Sequence, residues 1–191
     1  MFVEPHANTD ATRALVAQQF ADRGMTILSE GDITAEDFDQ KQLIDQHYFA
    51  IASKATTLKP SELNVPSDKF EDKFGLTWEA ALASGDVYNA KDGCESLGSA
   101  DEMDAEWAEC KKAKKLVKFG GGFDCGLIEV EGKPPIYVFN GFFMSMRSKY
   151  TVPGESIHYY NVEWKSEGLS WTDFRGQVTT RCRAVPVHGQ G

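Results

Sequence analysis

The strongest constraint on this chain is a change of pattern along its length. Up to about residue 55, and again from about residue 136, apolar residues recur at the spacing of helices or strands. Between them, from about Thr57 to Pro135, the pattern is poor and is interrupted by Pro60, Pro66, Gly75 and Gly85. A chain of 191 residues suits one domain, or one domain carrying a large insertion. Any fold must bring the two patterned segments together across the stretch that separates them.

The first segment begins with a short extended run, Phe2-Val3, ended by Glu4-Pro5-His6. Asn8-Thr9-Asp10 offers cap chemistry for a helix with Leu15, Val16 and Phe20 on its apolar face. Arg23-Gly24 closes that helix, because glycine accepts the left-handed position after a helix end. Met25–Glu30 reads as a strand. Thr34 then caps a helix whose positive end suits Glu36 and Asp37, with Phe38, Ile44, Tyr48, Ile51 and Ala55 in period.

In the middle region Met103, Trp107, Cys110, Lys114 and Val117 predict one amphipathic helix, ended by Gly120-Gly121-Gly122. Gly120–Gly126 has the look of a phosphate-cradling loop. It lacks the Gly-Lys-Ser/Thr ending and precedes a strand, so it reads as a connector. The lysines from Lys111 to Lys118 read as a solvated helix face that balances the acidic stretch 101–109.

Leu127–Val130 and Ile136–Phe139 predict a hairpin, Gly141–Tyr150 a short helix and Ser156–Trp164 a strand. Ser170, with Asp173 at the third position, caps a last helix. The order β-α-β-α, inserted region, α-β-α predicts an α+β sandwich with helices packed on a sheet.

Composition narrows the function. A net charge of −9 argues against a general nucleic-acid binder. Four cysteines, none in a Cys-x-x-Cys pair, and four histidines make a zinc site a poor reading and favour reduced thiols in a cytoplasmic protein. No apolar stretch reaches membrane-spanning length, and no secretory leader opens the chain. Glu163 and Asp173 read as surface carboxylates rather than an acid–base pair.

Five features recur in one order. They are the Glu4-Pro5-His6-Ala7-Asn8 turn, the pair His47-Tyr48, the pair Phe142-Phe143, the strand running to Trp164, and Arg175. In this order they resemble the nucleoside diphosphate kinase family, over roughly residues 1–55 and 140–178. The resemblance implies a single domain over 1–178 with an insertion at about 57–139, followed by a non-family tail at 179–191. The implied fold is a ferredoxin-like αβ sandwich, an antiparallel sheet covered by helices, with its last strand missing. It also implies transfer of the ATP γ-phosphate to nucleoside diphosphates through a phosphohistidine, with Mg²⁺ and the possibility of a homo-oligomer.

Residue by residue, Tyr48 matches the tyrosine that hydrogen-bonds near the reactive histidine. Phe142 matches the aromatic that stacks on the base, Met146 an apolar neighbour of the base, and Arg175 an arginine that contacts phosphate. Glu4 stands where the family keeps a phosphate-binding lysine. The thirteen residues from Thr179 do not supply the last strand, the second arginine or the nucleophilic histidine, and Met1 falls inside the first strand. The resemblance therefore implies a fragment with impaired transfer. His6 and the tail residue His188 are weak candidates for a nucleophile. Two other readings compete: a non-catalytic nucleotide-binding or assembly module on the same scaffold, and an unrelated ferredoxin-like domain.

Overall fold

A computed structural model describes residues 1–165 and 167–179, leaving out the side chains of 177–179. The elements run in order β1 (Phe2–Val3), α1 (Asp10–Ala21), β2 (Thr26–Thr34), α2 (Ala35–Gln40), α3 (Leu43–His47) and α4 (Phe49–Ala52). Next come α5 (Ser67–Phe74), α6 (Trp78–Ser84), β3 (Val87–Asn89), α7 (Ala90–Leu97), α8 (Ala100–Lys112), β4 (Leu116–Gly120) and β5 (Phe123–Ile128). Then follow β6 (Ile136–Phe139), α9 (Phe142–Ser148), β7 (Ser156–Glu163) and α10 (Trp171–Asp173), which continues as a π-helical turn, Phe174–Thr179. The molecule is thus α+β, but it has two sheets where the sequence predicted one.

The chain divides into two compact units, residues 1–41 with 150–191 and residues 42–149. The expected insertion at 57–139 falls inside the second unit, which is wider on both sides. The reason lies in residues 41–57. The single helix expected from Thr34 to Ala55 is broken at Gln42, which has a left-handed φ of 50°. It restarts as α3, breaks again at Tyr48, and ends in a π-helical turn over Ser53–Thr57.

In the first unit β7 lies between β1 and β2 and is antiparallel to both. β1 and β2 are therefore parallel to one another and joined through α1, which makes a split β-α-β unit. Thr9 caps α1 by accepting from the Thr12 N–H at 3.2 Å. Val16 and Phe20 on α1 pack with Val3, Met25, Tyr160, Leu169 and Phe174. Gly24, at φ 66°, turns the chain into β2.

In the second unit a four-stranded sheet has the order β3-β6-β5-β4. β5 and β6 form the expected hairpin, with Ile128 opposite Ile136. Both faces are covered. Phe139 and Cys125 pack with Phe70, Trp78 and Ala81 from α5 and α6. Val138 and Ile128 pack with Met103, Trp107 and Cys94 from α7 and α8. Coverage on both faces explains the unbroken apolar run Ile136–Phe139. The predicted amphipathic helix stops at Lys112, because Lys114 takes a left-handed φ of 58° and Val117 belongs to β4. Gly120-Gly121-Gly122 does not end a helix. It forms the turn of a second hairpin between β4 and β5, so Gly120–Gly126 is an ordered part of the sheet rather than a connector.

Candidate functional site

The end of β1 is where the sequence placed a possible ligand turn. The Glu4 backbone carbonyl accepts from the Ala7 N–H at 2.9 Å, and the Pro5 carbonyl from the Asn8 N–H at 3.1 Å, which closes a 3₁₀ turn over Pro5–Ala7. Asn8 then ties the turn to β7, donating from Nδ2 to the Ser156 carbonyl at 3.1 Å and to Ser156 Oγ at 3.0 Å. Glu4 and His6 face each other in solvent at 3.6 Å.

Behind this turn lies a polar cluster that sequence reading did not find. His158 on β7 is buried, and its Nδ1 stands 2.9 Å from Asp32 Oδ1 on β2. Its Nε2 faces Glu30 Oε2 at 3.7 Å. Arg13 on α1 reaches Asp32 at 3.5 Å, pairs with Asp10, and donates to Asn8 Oδ1 at 3.3 Å. The hydrogen bond from His158, assisted by Asn8 and Arg13, holds the Asp32 carboxyl below its ordinary range against the opposing effect of burial. The only hint in the sequence is alternation. Glu30 and Asp32 share one face of β2, and strand register sets Asp32 opposite His158.

This cluster is unsuited to phosphate. Arg13 is already balanced by Asp10 and Asp32, and carboxylates line the rest. His158 is a poor nucleophile there, since its ring is enclosed and Glu30 stands at Nε2, where a phosphoryl oxygen would be repelled. The two carboxylates sit at opposite ring nitrogens, so they do not converge on a shared ion. Among the described residues no group of three or more His, Cys, Asp or Glu side chains could hold a metal.

Arg175 also belongs to the first unit, and its side chain is exposed on the turn that continues α10. Ser170 caps this stretch as expected, its Oγ accepting from the Asp173 N–H at 3.1 Å.

Tyr48, Phe142 and Met146 belong to the second unit. Tyr48 and Met146 border one cluster, built on Ala52, Ala55, Ala90 and Phe143. His47 is exposed and packs edge-on against Tyr48, with ring centroids 4.6 Å apart. Phe142 borders a different cluster, its ring 6.1 Å from Trp107. Adjacent residues on α9 point apart, so Phe142 and Phe143 enter different cores.

Asn140 is a buried polar side chain of this unit with three hydrogen bonds. It is fully buried with a left-handed φ of 52°. Its Nδ2 donates to the Ile51 and Gly122 carbonyls at 3.2 and 3.0 Å, and its Oδ1 accepts from the Asp124 N–H at 2.9 Å. The neighbouring Asp124 Oδ1 is buried without a partner, and burial pushes that carboxyl above its ordinary range.

Also in this unit is a cavity of about 110 Å³ lined by Tyr88, Leu97, Ile128, Val130 and Ile136, with Lys133 donating to the Ser96 and Leu97 carbonyls at its rim. It is too small for a nucleotide. Cys94, Cys110 and Cys125 are free, and burial raises all three thiols, that of Cys94 to about 11, so none is poised as a nucleophile. Lys112 pairs with Glu109 on α8, but Lys114, Lys115 and Lys118 lie beyond the helix end and Lys115 pairs with Glu129, so the lysines do not form one helix face. His188, Cys182 and residues 180–191 as a whole lie outside the described residues.

Compared with protein-family models, with curated proteins and with solved structures, the chain matches none. Among the described residues no helix is long and apolar enough to cross a membrane.

Proposed function

We propose that this chain is a nucleoside-diphosphate-kinase-like protein that takes ATP and nucleoside diphosphates, with its own phosphoryl transfer impaired. The observation that carries this reading is the first unit's split β-α-β sheet. Its three strands come from the two segments in which the family's motifs recur, and β7 from the second segment pairs between β1 and β2 from the first. Arg175 follows the central strand and brings a guanidinium, whose fork suits phosphate oxygens. Mg²⁺ would enter on the nucleotide's own phosphates.

Transfer through a phosphohistidine needs a reachable imidazole beside cationic groups. His6 faces Glu4 in solvent, and His158 is enclosed by carboxylates. The same features support a second reading, a non-catalytic nucleotide-binding or assembly module, in which Glu4 marks the loss of the phosphate site.

The test is to incubate the purified chain with γ-labelled ATP and Mg²⁺. Under the first reading ATP binds and a trace of acid-labile, base-stable label appears. Binding without any label favours the module. Stoichiometric histidine labelling would refute the impairment, and absence of both label and nucleotide binding would refute both readings.

A further inference from the structure

Three rings in the first unit are stacked at one place. Trp164 and Trp171 have centroids 5.8 Å apart with planes 9° from parallel. Phe174 lies 5.0 Å from Trp164 and 5.3 Å from Trp171, at 17° and 21°. The base of this stack is fixed. Phe174 is buried in the core with Leu169 and Phe20, and Trp164 Nε1 donates to the Leu169 carbonyl at 2.8 Å. Trp171 is different, with 61% of its surface in solvent. An exposed indole held nearly parallel to two anchored rings is a preformed flat apolar face.

Arg175 stands four residues beyond Trp171, on the same helical stretch, and is also exposed. Residues four apart on a helix share a face, although the π-helical turn that begins at Phe174 offsets the two somewhat. A flat aromatic face and a guanidinium at this spacing match a ligand with a planar ring at one end and an anionic group at the other. We infer that Trp171 stacks the base of a mononucleotide while Arg175 meets its phosphates. This deepens the nucleotide reading above and rests on it.

The other positions for a base, Phe142 and Met146, are each partly buried. Phe142 borders the Trp107 cluster, and Met146 borders the Phe143 cluster. A long polyanion is a poor match, because the chain carries a net charge of −9. One exposed indole and one exposed guanidinium on the same helical stretch suit a single nucleotide. Stacking reads any base, since every base has a π face, so the site would discriminate little among bases.

Binding of ADP, of adenosine and of ribose 5-phosphate is measured by calorimetry on the full chain and on Trp171→Leu, Arg175→Gln and Phe142→Leu. Thermal melts confirm that each variant folds. Trp171→Leu is expected to weaken ADP and adenosine about tenfold, the size of effect seen when a stacking ring is removed. Arg175→Gln should weaken ADP and leave adenosine unchanged. Ribose 5-phosphate should be indifferent to Trp171. If ADP binds the wild type and Trp171→Leu equally, the inference fails while the nucleotide reading stands, and loss in Phe142→Leu would then locate the base. If the wild type binds neither ADP nor adenosine, both fall together.

Discussion

At the residue scale, Asp32 shows how a strand pairing creates chemistry that spacing alone cannot. Its carboxyl is held low mainly by the hydrogen bond from His158. A carboxyl whose folded pKa lies below its unfolded value of about 3.9 stabilises the fold above that value. The contribution disappears as pH falls through the folded value, because the unfolded chain binds the proton more readily. Asp32 is half exposed, so solvent screening limits the contribution to about 0.5–1 kcal/mol. Asp32→Asn should therefore lower Tm at about pH 5, by a gap that narrows as the pH falls below about 4. Thermal melts across that range check it; a gap of constant size would show that the loss is one of packing rather than of charge. The Asn140 hub makes the same point in the second unit. A single asparagine in a left-handed conformation bonds three backbone groups on two separate segments, α4 and the β4–β5 hairpin, and nothing in its immediate sequence announces it.

At the element scale, α8 approaches β5 and α9 through glycines. A Cβ on Gly126 would stand 2.8 Å from Cys110 Sγ and 3.0 Å from Trp107 Cζ3, and one on Gly141 would stand 2.4 Å from the Trp107 ring. Neither neighbour has room to retreat, since Trp107 and Cys110 are buried. Gly126→Ala should cost about 1–3 kcal/mol through overpacking. Gly120→Ala, whose Cβ would meet nothing within 4 Å, should stay within about 0.5 kcal/mol. Urea midpoints at unchanged m would report the difference, and equal costs would refute close approach as the cause.

These contacts also explain what the sequence let one read. Elements with strong local signals were legible. Thr9 and Ser170 cap as their side chains predict, and Ile136–Phe139 pairs with the strand before it. Within the poorly patterned stretch, Met103, Trp107 and Cys110 of α8 do lie on its buried face as their spacing predicts. The part from Thr57 to Leu97 was not legible, because α5, α6 and α7 have only seven or eight residues each, too few for a helical period to declare itself. The second unit's sheet is buried on both faces, so its strands do not alternate. The continuous helix expected from Thr34 failed at Gln42, whose left-handed backbone breaks the periodic run. Of the candidate site, Arg175 and its capped stretch were visible as sequence. The exposure of Trp171 and the Asp32–His158 pair were not, because each depends on which residue lies opposite.

At the scale of the whole molecule, the two units differ in how the chain builds them. The first is discontinuous: β7 joins β1 and β2 only after more than a hundred intervening residues, so its sheet rests on non-local pairing that is slow to form. The second is one uninterrupted segment. Residues 42–149 contain a complete four-stranded sheet, cores on both of its faces, and the Asn140 hub that joins α4 to the β4–β5 turn and β5. A segment of roughly a hundred residues is within the usual size of an independent domain and buries enough surface to fold alone. Expressed by itself, 42–149 should give a dispersed amide spectrum and a single cooperative urea transition. Its Gly126→Ala variant should lose the same stability there as in the full chain. Random-coil shifts from the isolated segment would show instead that residues 1–41 and 150–191 are needed to hold it, and the second unit would then be no separate domain.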